Sequence, residues 1–228
     1  MVISLFAIAV ILALAFLPQL WVRNVIARHS RPRPDISHSG SEFARHLLDR
    51  LDLGHVKVEE SREGDHYDPA AKAVRLIKPH YRGRSLAAVV IAAHEVGHAV
   101  QDATAYAPLR TRLRLARQAE RVQSIGAVLM LAAPAVMLLA KSPFLLVLDL
   151  VIGLLMLSFA VLIHAVTLPV EFDASFRRAL PLLEAGRYLR APDKPAARQI
   201  LRAAALTYVA AAAMSLLDVM RWIRLLRF

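Results

Sequence analysis

The chain of 228 residues contains no cysteine, and this absence narrows the kinds of site that it can form. Without thiols there are no disulfide bonds and no thiolate ligands for zinc, so any metal site must use histidines and carboxylates. Acidic residues are also few: 18 Asp and Glu stand against 29 Lys and Arg, which gives a net charge of +11. Aromatic residues amount to only 7% and are not interleaved with the basic ones, so no nucleic-acid motif is present and no nucleic-acid partner is predicted.

Hydrophobic residues, in contrast, make up 57% of the chain, and the mean hydropathy is +0.45. Both values exceed those of ordinary soluble domains and predict a membrane protein. Arginines lie beside the apolar runs, and positive residues that flank membrane spans mark the cytoplasmic face. These arginines are Arg23, Arg28, Arg31, Arg33, Arg110, Arg112, Arg114, Arg117 and Arg121.

Three apolar runs predict transmembrane helices: the first has about the 20 residues that a bilayer helix requires, the second follows a run of arginines, and the third returns after the tight turn at 141–143. They cover residues 2–20, 125–140 and 144–168. A cleaved signal peptide is the alternative for the first run, but the basic residues follow that run and do not precede it. A fourth run, over residues 203–217, is short and alanine-rich, so it either crosses the membrane or packs at its inner boundary.

These features predict a mainly α membrane protein, with a zincin-like helix and a small β-hairpin on three to four transmembrane or membrane-embedded helices. Residues 1–22 would be an N-terminal anchor and 23–123 a cytoplasmic zincin-like part. Residues 124–168 would be a transmembrane hairpin, and 169–228 would hold the third-ligand helix and a C-terminal apolar helix. The β-hairpin is assigned to residues 56–59 and 73–77, because Gly64 and Asp68-Pro69 separate them.

The stretch His94-Glu95-Val96-Gly97-His98 carries the chemistry. On a helix, His94 and His98 are four residues apart and face the same way, so both can bind one tetrahedral zinc ion. Glu95 then lies beside the open coordination position and can take a proton from water and pass it to a leaving amine. A satisfied structural cluster is the alternative. Gly97 would let another backbone approach the metal-binding face.

A third metal ligand must come from elsewhere in the chain, and Glu171 is the first candidate. Helix capping is the alternative role for Glu171, because a carboxylate at a helix start is favoured by the dipole and Pro169 predicts such a start. Asp173 is the competing carboxylate. The candidates for the oxyanion donor are Tyr208, which is ranked first, His66 and His164. Tyr208 could instead be a core tyrosine whose hydroxyl satisfies a neighbour, and His66 could simply belong to a polar surface turn.

Several segments together resemble the YugP-type neutral zinc metallopeptidases, a gluzincin-like family of bacterial membrane proteins. The resemblance implies one zinc ion on His94 and His98, Glu95 as the catalytic residue and Glu171 as the third ligand. Families of the HtpX and prenyl-protease types are similar around Glu171 but carry Asp or Asn four residues later, where this chain has Ser175. The segments that carry the resemblance are residues 64–69, 83–86, 92–101, 106–110, 167–175 and 204–211.

The sequence therefore predicts a zinc-dependent endopeptidase of a bacterial inner membrane, which cuts membrane or membrane-proximal proteins at the cytoplasmic boundary. The expected partners are a protein or peptide substrate and the lipid bilayer, and a regulatory membrane partner or a second copy stays open. The strand at residues 73–77 is expected to take up extended substrate at a sheet edge, with a plain supporting role as the alternative. A zinc-containing membrane scaffold without peptidase activity is the alternative function.

Overall fold

The structure is a computed structural model that describes residues 2–119 and 166–207, together with positions 144, 148, 151, 152 and 163. Within residues 2–15 it describes the backbone only. The candidate oxyanion donors His164 and Tyr208 lie outside the described residues. So do nearly all of the predicted spans at 125–140 and 144–168 and most of the apolar run at 203–217.

Helices make up most of the described chain. The first four are α1 (Val2–His29), α2 (Gly40–Arg50), α3 (Lys78–Arg82) and α4 (Leu86–Ala103). Three further helical runs follow: α5 over residues 107–119, α6 over residues 166–185 and α7 over residues 194–207, the last preceded by a 3₁₀ turn at Ala191–Asp193. Within α6, the segment Asp173–Ala179 has π-helical hydrogen bonding, and Leu180–Ala185 is α-helical again.

A small sheet contains β1 (Lys57–Ser61), β2 (His66–Asp68) and β3 (Ala73–Ile77) in the order β1-β3-β2. The predicted two-stranded hairpin is wrong, because β1 pairs with β3 in parallel and the short β2 pairs with β3 antiparallel. The connection was expected to be a loop, but His66–Asp68 turns back within it and forms a strand of its own. As a result β3 is the central strand, so the prediction that it is a substrate-binding edge is also wrong.

The predicted fold class, a membrane protein with three to four spanning helices, is wrong as stated. Within the described part of the chain, no helix has both the length and the apolar character needed to cross a bilayer. The described side chains of α1 begin at residue 16 and include Arg23 and Arg28, while the 18-residue α4 carries ionisable residues of the zinc motif. The structure supports a mainly helical protein with a small sheet.

Helix α4 is the centre of the described fold. Ser85 caps its first turn by accepting a hydrogen bond from Ala88 N at 3.2 Å, and nearly every residue from Leu86 to Ala99 is buried. The helix packs against α2, the π-helical segment of α6, and strands β2 and β3. Because polar groups buried in such a core must have partners, the environment of the motif is tightly constrained.

Candidate metal centre

Helices α4 and α6 bring the three predicted ligands together. His94 and His98 lie one turn apart on α4, and Glu171 lies on α6 just before the π-helical segment. All three side chains are buried, with 4%, 6% and 1% of their residue surface exposed. Residues 166–172 are already helical, so Glu171 lies inside a helix and the predicted helix start at Pro169, with its capping role for Glu171, is wrong.

The distances from Glu171 to the two histidines match those of a tetrahedral metal site. Glu171 Oε2 lies 3.2 Å from Nε2 of His94 and 3.2 Å from Nε2 of His98. Tetrahedral zinc with ligand bonds near 2.0–2.1 Å separates its ligand atoms by about 3.3 Å. All three donor atoms lie within 4.8 Å of one another. The residues present therefore fit one zinc ion with three protein ligands.

The hydrogen bond at His94 Nδ1 determines which ring nitrogen faces the site. Ser175 Oγ lies 3.0 Å from His94 Nδ1 and 3.2 Å from the carbonyl oxygen of Leu201. Because a hydroxyl has one proton and a carbonyl only accepts, Ser175 donates to Leu201 and accepts from His94 Nδ1–H. In the neutral ring Nε2 then carries a lone pair directed at the metal position. Ser175, at the position where the similar families carry Asp or Asn, thus supports His94 through its hydroxyl.

Gln101 gives His98 the same kind of support. Its Nε2 donates to the carbonyl oxygen of Val170 at 2.8 Å and to Asp173 Oδ2 at 2.9 Å. Its Oε1 therefore accepts from His98 Nδ1–H at 3.0 Å, which leaves Nε2 of His98 free for a metal. Asp173, the competing carboxylate, is held by Gln101 and by Arg178 Nε at 3.2 Å. The structure thus places Asp173 in the support of the site.

Charge at the site affects the two glutamates in opposite ways. Burial alone would raise the pKa of the Glu171 carboxyl, but the rings of His98 and His94 outweigh it and hold that pKa below its usual range. Burial raises the pKa of Glu95 to about 8, Glu171 and Asp65 act in the same direction, and His94 opposes them. Glu171 is therefore an ionised carboxylate, whereas Glu95 is a carboxyl that can hold or release a proton near neutral pH.

A cavity of about 500 Å³ contains the predicted zinc ligands and Glu95. Strand β2 and the turn before it form one side, so the structure places the candidate His66 in this cavity. His66 Nδ1 lies 3.2 Å from the carbonyl oxygen of Gly64, which accepts its proton in the neutral ring. Nε2 of His66 then accepts hydrogen bonds and donates only when the ring is protonated. Its oxyanion role stays a prediction, as does that of Tyr208.

The other walls of the cavity are mainly apolar and come from three helices. Helix α1 supplies Val22 and Ile26, α5 supplies Leu109, Leu113 and Ala116, and α7 supplies Ala204 and Thr207. The sequence assigned α1 to an anchor only, so its contribution to the cavity was missed. The signal was present in the spacing of Val22 and Ile26, which are four residues apart and share a helix face.

Comparisons with known proteins agree with this geometry. Residues 4–227 match the model of a family described as "Putative neutral zinc metallopeptidase". The chain is also 36% identical over 215 residues to the "Putative membrane protease YugP" of Bacillus subtilis (strain 168), which covers 93% of this chain and 91% of the relative. No solved structure matches it. The chain belongs to the neutral zinc metallopeptidase family, and the resemblance found in its sequence is confirmed.

Proposed function

We propose that the chain is a zinc-dependent endopeptidase whose reaction takes place in the cavity at His94, Glu95, His98 and Glu171. One observation carries the proposal: Glu171 Oε2 lies 3.2 Å from Nε2 of both histidines, and the Nδ1 protons of both rings are committed to other acceptors. Three lone-pair donors directed at one another in a buried site require a cation between them.

The chemistry divides between the metal and Glu95. Zinc at this position would act as a Lewis acid, which polarises a carbonyl and lowers the pKa of water to about 7. Glu95 lines the same cavity and accepts a proton from the attacking water. It then donates that proton to the leaving amine, which completes peptide hydrolysis. Burial raises the pKa of Glu95, while a zinc ion on the neighbouring His94 would lower it again, and these opposing effects suit a group that first accepts a proton and then donates it.

The cavity favours an extended peptide that carries an apolar side chain. Strand β2 forms one edge of the three-stranded sheet, and His66 and Tyr67 of this strand line the cavity. A substrate that pairs with β2 would receive backbone hydrogen bonds without a requirement for particular side chains. The apolar walls from α1 and α5 would then hold a side chain next to the scissile bond. Because such pairing can take place with an internal segment of the substrate, it suits an endopeptidase.

A metal-binding scaffold without peptidase activity is the second candidate function. A structural zinc site is closed by four protein ligands, whereas the residues that the structure describes offer three. Such a site also has no use for a buried carboxyl in the same cavity. Both observations favour the enzyme.

The test of the proposed activity is cleavage of a fluorescence-quenched peptide library by the purified protein, before and after removal of metal with a chelator. Peptides with Leu or Phe beside the cleaved bond should be hydrolysed faster than matched peptides with Asp, and zinc should restore the lost activity. Hydrolysis that survives complete metal removal would contradict the proposal, and zinc binding without any hydrolysis would favour the scaffold.

We also propose that the protein works at a membrane surface, with its active site on the cytoplasmic side. The relative's printed name describes a membrane protease. In this chain, Phe16, Leu17, Leu20 and Trp21 of α1 are 45%, 62%, 52% and 39% exposed, and Arg23 and Arg28 follow them. An exposed apolar patch with an aromatic residue and adjacent positive charge is typical of a membrane interface.

Trp21 offers a direct probe of this location. The chain has two tryptophans, so replacement of Trp222 by Phe leaves Trp21 as the only one. In vesicles that contain anionic lipid with brominated acyl chains, the fluorescence of Trp21 should be quenched. Unquenched fluorescence at a protein-to-lipid ratio where the chain sediments with the vesicles would place α1 away from the lipid and contradict this location.

A further inference from the structure

The two oxygens of the Glu171 carboxylate have different neighbours. Oε2 faces the two histidines, while Oε1 accepts a hydrogen bond from Arg112 Nη1 at 3.1 Å. Arg112 belongs to the basic run that indicated membrane topology in the sequence, and its contact with the site was not expected. The Arg112 side chain is only 20% exposed, which is unusual for a residue of a flanking charge cluster.

The position of Arg112 on α5 explains why it is more buried than the neighbouring arginines. Leu109, Arg112, Leu113 and Ala116 recur at intervals of three and four residues, so they share one face of α5, and all of them line the cavity. Arg110 and Arg114 lie on other faces and are exposed. The run therefore contains one arginine that is directed into the site, between residues that form its apolar wall.

The contact matters because a carboxylate can bind a metal through one oxygen or through both. A catalytic zinc site needs three protein ligand atoms and an open position, which a second bound oxygen would occupy. A guanidinium group is planar, permanently charged and directional, so its hydrogen bond fixes an oxygen in space. With Oε1 held by Arg112, the carboxylate presents Oε2 alone to the metal position.

We propose that Arg112 is a positioning residue, which orients Glu171 so that the metal is bound by Oε2 only and one coordination position stays open. This role rests on the proposed zinc site. Arg112 acts through Glu171, as Ser175 and Gln101 act through the two histidines. Each of the three ligands thus has one partner on the side that faces away from the metal, and together these partners define the geometry of the site.

The experiment compares zinc affinity in metal-free protein by titration against a competing chelator. Arg112→Met should weaken zinc binding by about 10–100-fold, the usual effect of removing a residue that orients a ligand. Arg112→Lys restores a charge and a donor without the planar group, so it should fall between Arg112→Met and the wild type. Arg110→Met is the matched control on an exposed face of the same helix and should bind zinc as the wild type does.

Two further readouts separate orientation from packing. The visible absorption of the Co²⁺-substituted protein reports coordination number, and it should change in Arg112→Met because both oxygens of Glu171 become free to bind. In a Glu171→Gln background, Arg112→Met should cause no further loss of zinc affinity, since the two residues act as one unit. Circular dichroism of each metal-free variant establishes that it is folded.

Several outcomes would overturn the role of Arg112. Arg112→Met with wild-type zinc affinity and an unchanged cobalt spectrum would do so, as would an additive loss in the Glu171→Gln background. Equal losses in the Met and Lys variants would indicate packing alone. If Arg112→Met does not fold, the test uses Arg112→Lys. Wild-type zinc affinity and an unchanged cobalt spectrum in that variant then overturn the role. A wild-type chain that binds no zinc would overturn the proposed function itself, which is a separate result.

Discussion

Gly97 of α4 lies directly against the backbone carbonyl of Ala174 in α6, so that a β-carbon at position 97 would come within 2.6 Å of that oxygen. The close approach occurs between the two zinc-motif histidines on one helix and just after Glu171 on the other. Because the obstacle is backbone, no rotamer change can relieve the clash. The contact between Gly97 and Ala174 therefore sets the distance between the two helices that carry the ligands.

Gly97→Ala should destabilise the protein although alanine is the better helix former. Overpacking against a fixed backbone costs about 1–3 kcal/mol, which exceeds the roughly 1 kcal/mol that alanine gains over glycine in a helix. Displacement of α6 would also move Glu171 away from the histidines and weaken zinc binding. Thermal unfolding and zinc titration measure the two effects.

Gly54→Ala is the control for this prediction, since a β-carbon there would meet only Asp49 Oδ1 at 3.9 Å. Its stability and zinc affinity should stay close to those of the wild type. If Gly97→Ala behaves like Gly54→Ala, the contact with Ala174 does not set the helix spacing.

Glu171→Gln and Asp173→Asn should differ sharply in zinc retention. Glu171 Oε2 lies at ligand distance from both histidines, whereas Asp173 accepts hydrogen bonds from Gln101 and Arg178. Loss of the first carboxylate should remove most bound zinc after dialysis, and loss of the second should have a smaller effect because it acts through Gln101. Elemental analysis of both variants provides the measurement. The reverse order would make Asp173 the ligand.

Ser175→Ala tests the partner of His94. Removal of the hydroxyl leaves His94 Nδ1 without its acceptor in a buried environment, and it removes one of the hydrogen bonds to the carbonyl of Leu201. Zinc affinity should fall by about 10–100-fold, whereas Ser175→Thr, which keeps a hydroxyl, should lose less. Wild-type affinity in Ser175→Ala would show that His94 is oriented by α4 alone.

The sequence predicted which residues lie together at the site better than it predicted the fold, and the reasons are physical. His94, Glu95 and His98 are local to one helix, so helical periodicity alone places them together. Glu171 was predicted as the third ligand from the family resemblance, because its position in the sequence alone fitted metal binding and helix capping equally well. Gln101 and Arg112 were missed as supporting residues, since their roles depend on how α4 and α5 meet α6.

The sheet and the π-helical segment could not be derived from local patterns. Strands β1 and β3 resemble a hairpin in sequence, and only the insertion of β2 makes their pairing parallel. The sequence of Asp173–Ala179 contains no signal for π-helical hydrogen bonding, which occurs mostly as local insertions at functional sites. Here it follows Glu171 and includes Asp173 and Ser175, so three residues of the site flank or occupy it.

An ion pair between Arg33 and Asp193, which are not residues of the metal centre, predicts a dependence of stability on pH. Arg33 donates to both oxygens of Asp193, at 2.7 Å and 3.0 Å, and thus joins the segment after α1 to the turn before α7. The hydrogen bond from Arg33 is the main cause that lowers the pKa of Asp193 below its usual range, and Arg190 adds to it. A lowered pKa means that the folded state favours the charged carboxylate, so the pair stabilises the fold above the ordinary aspartate range.

Asp193→Asn should therefore reduce stability by about 1–2 kcal/mol at neutral pH, which lies at the low end of the roughly 1.5–3 kcal/mol of hydrogen bonds to charged groups because solvent partly screens this pair. The difference from the wild type should shrink as the pH falls through the lowered pKa of Asp193, because the wild type then loses the same charge. Denaturant unfolding over a pH series measures it. Asp49→Asn is the control, because the Asp49 side chain is 58% exposed, so its ion pair with Arg45 is screened by solvent. If the difference in unfolding free energy between Asp193→Asn and the wild type does not change with pH, the ion pair does not stabilise the fold.

Glu95 is proposed to transfer protons at a zinc site that it does not help to build, and the Glu95→Gln variant separates these two roles. Glu95→Gln keeps the size and burial of the side chain but removes the group that accepts a proton. The variant should bind about one zinc ion per chain, as the wild type does. Its kcat on a cleavable peptide should fall by about 10²–10⁴-fold. Wild-type turnover in a fully zinc-loaded Glu95→Gln variant would contradict the account.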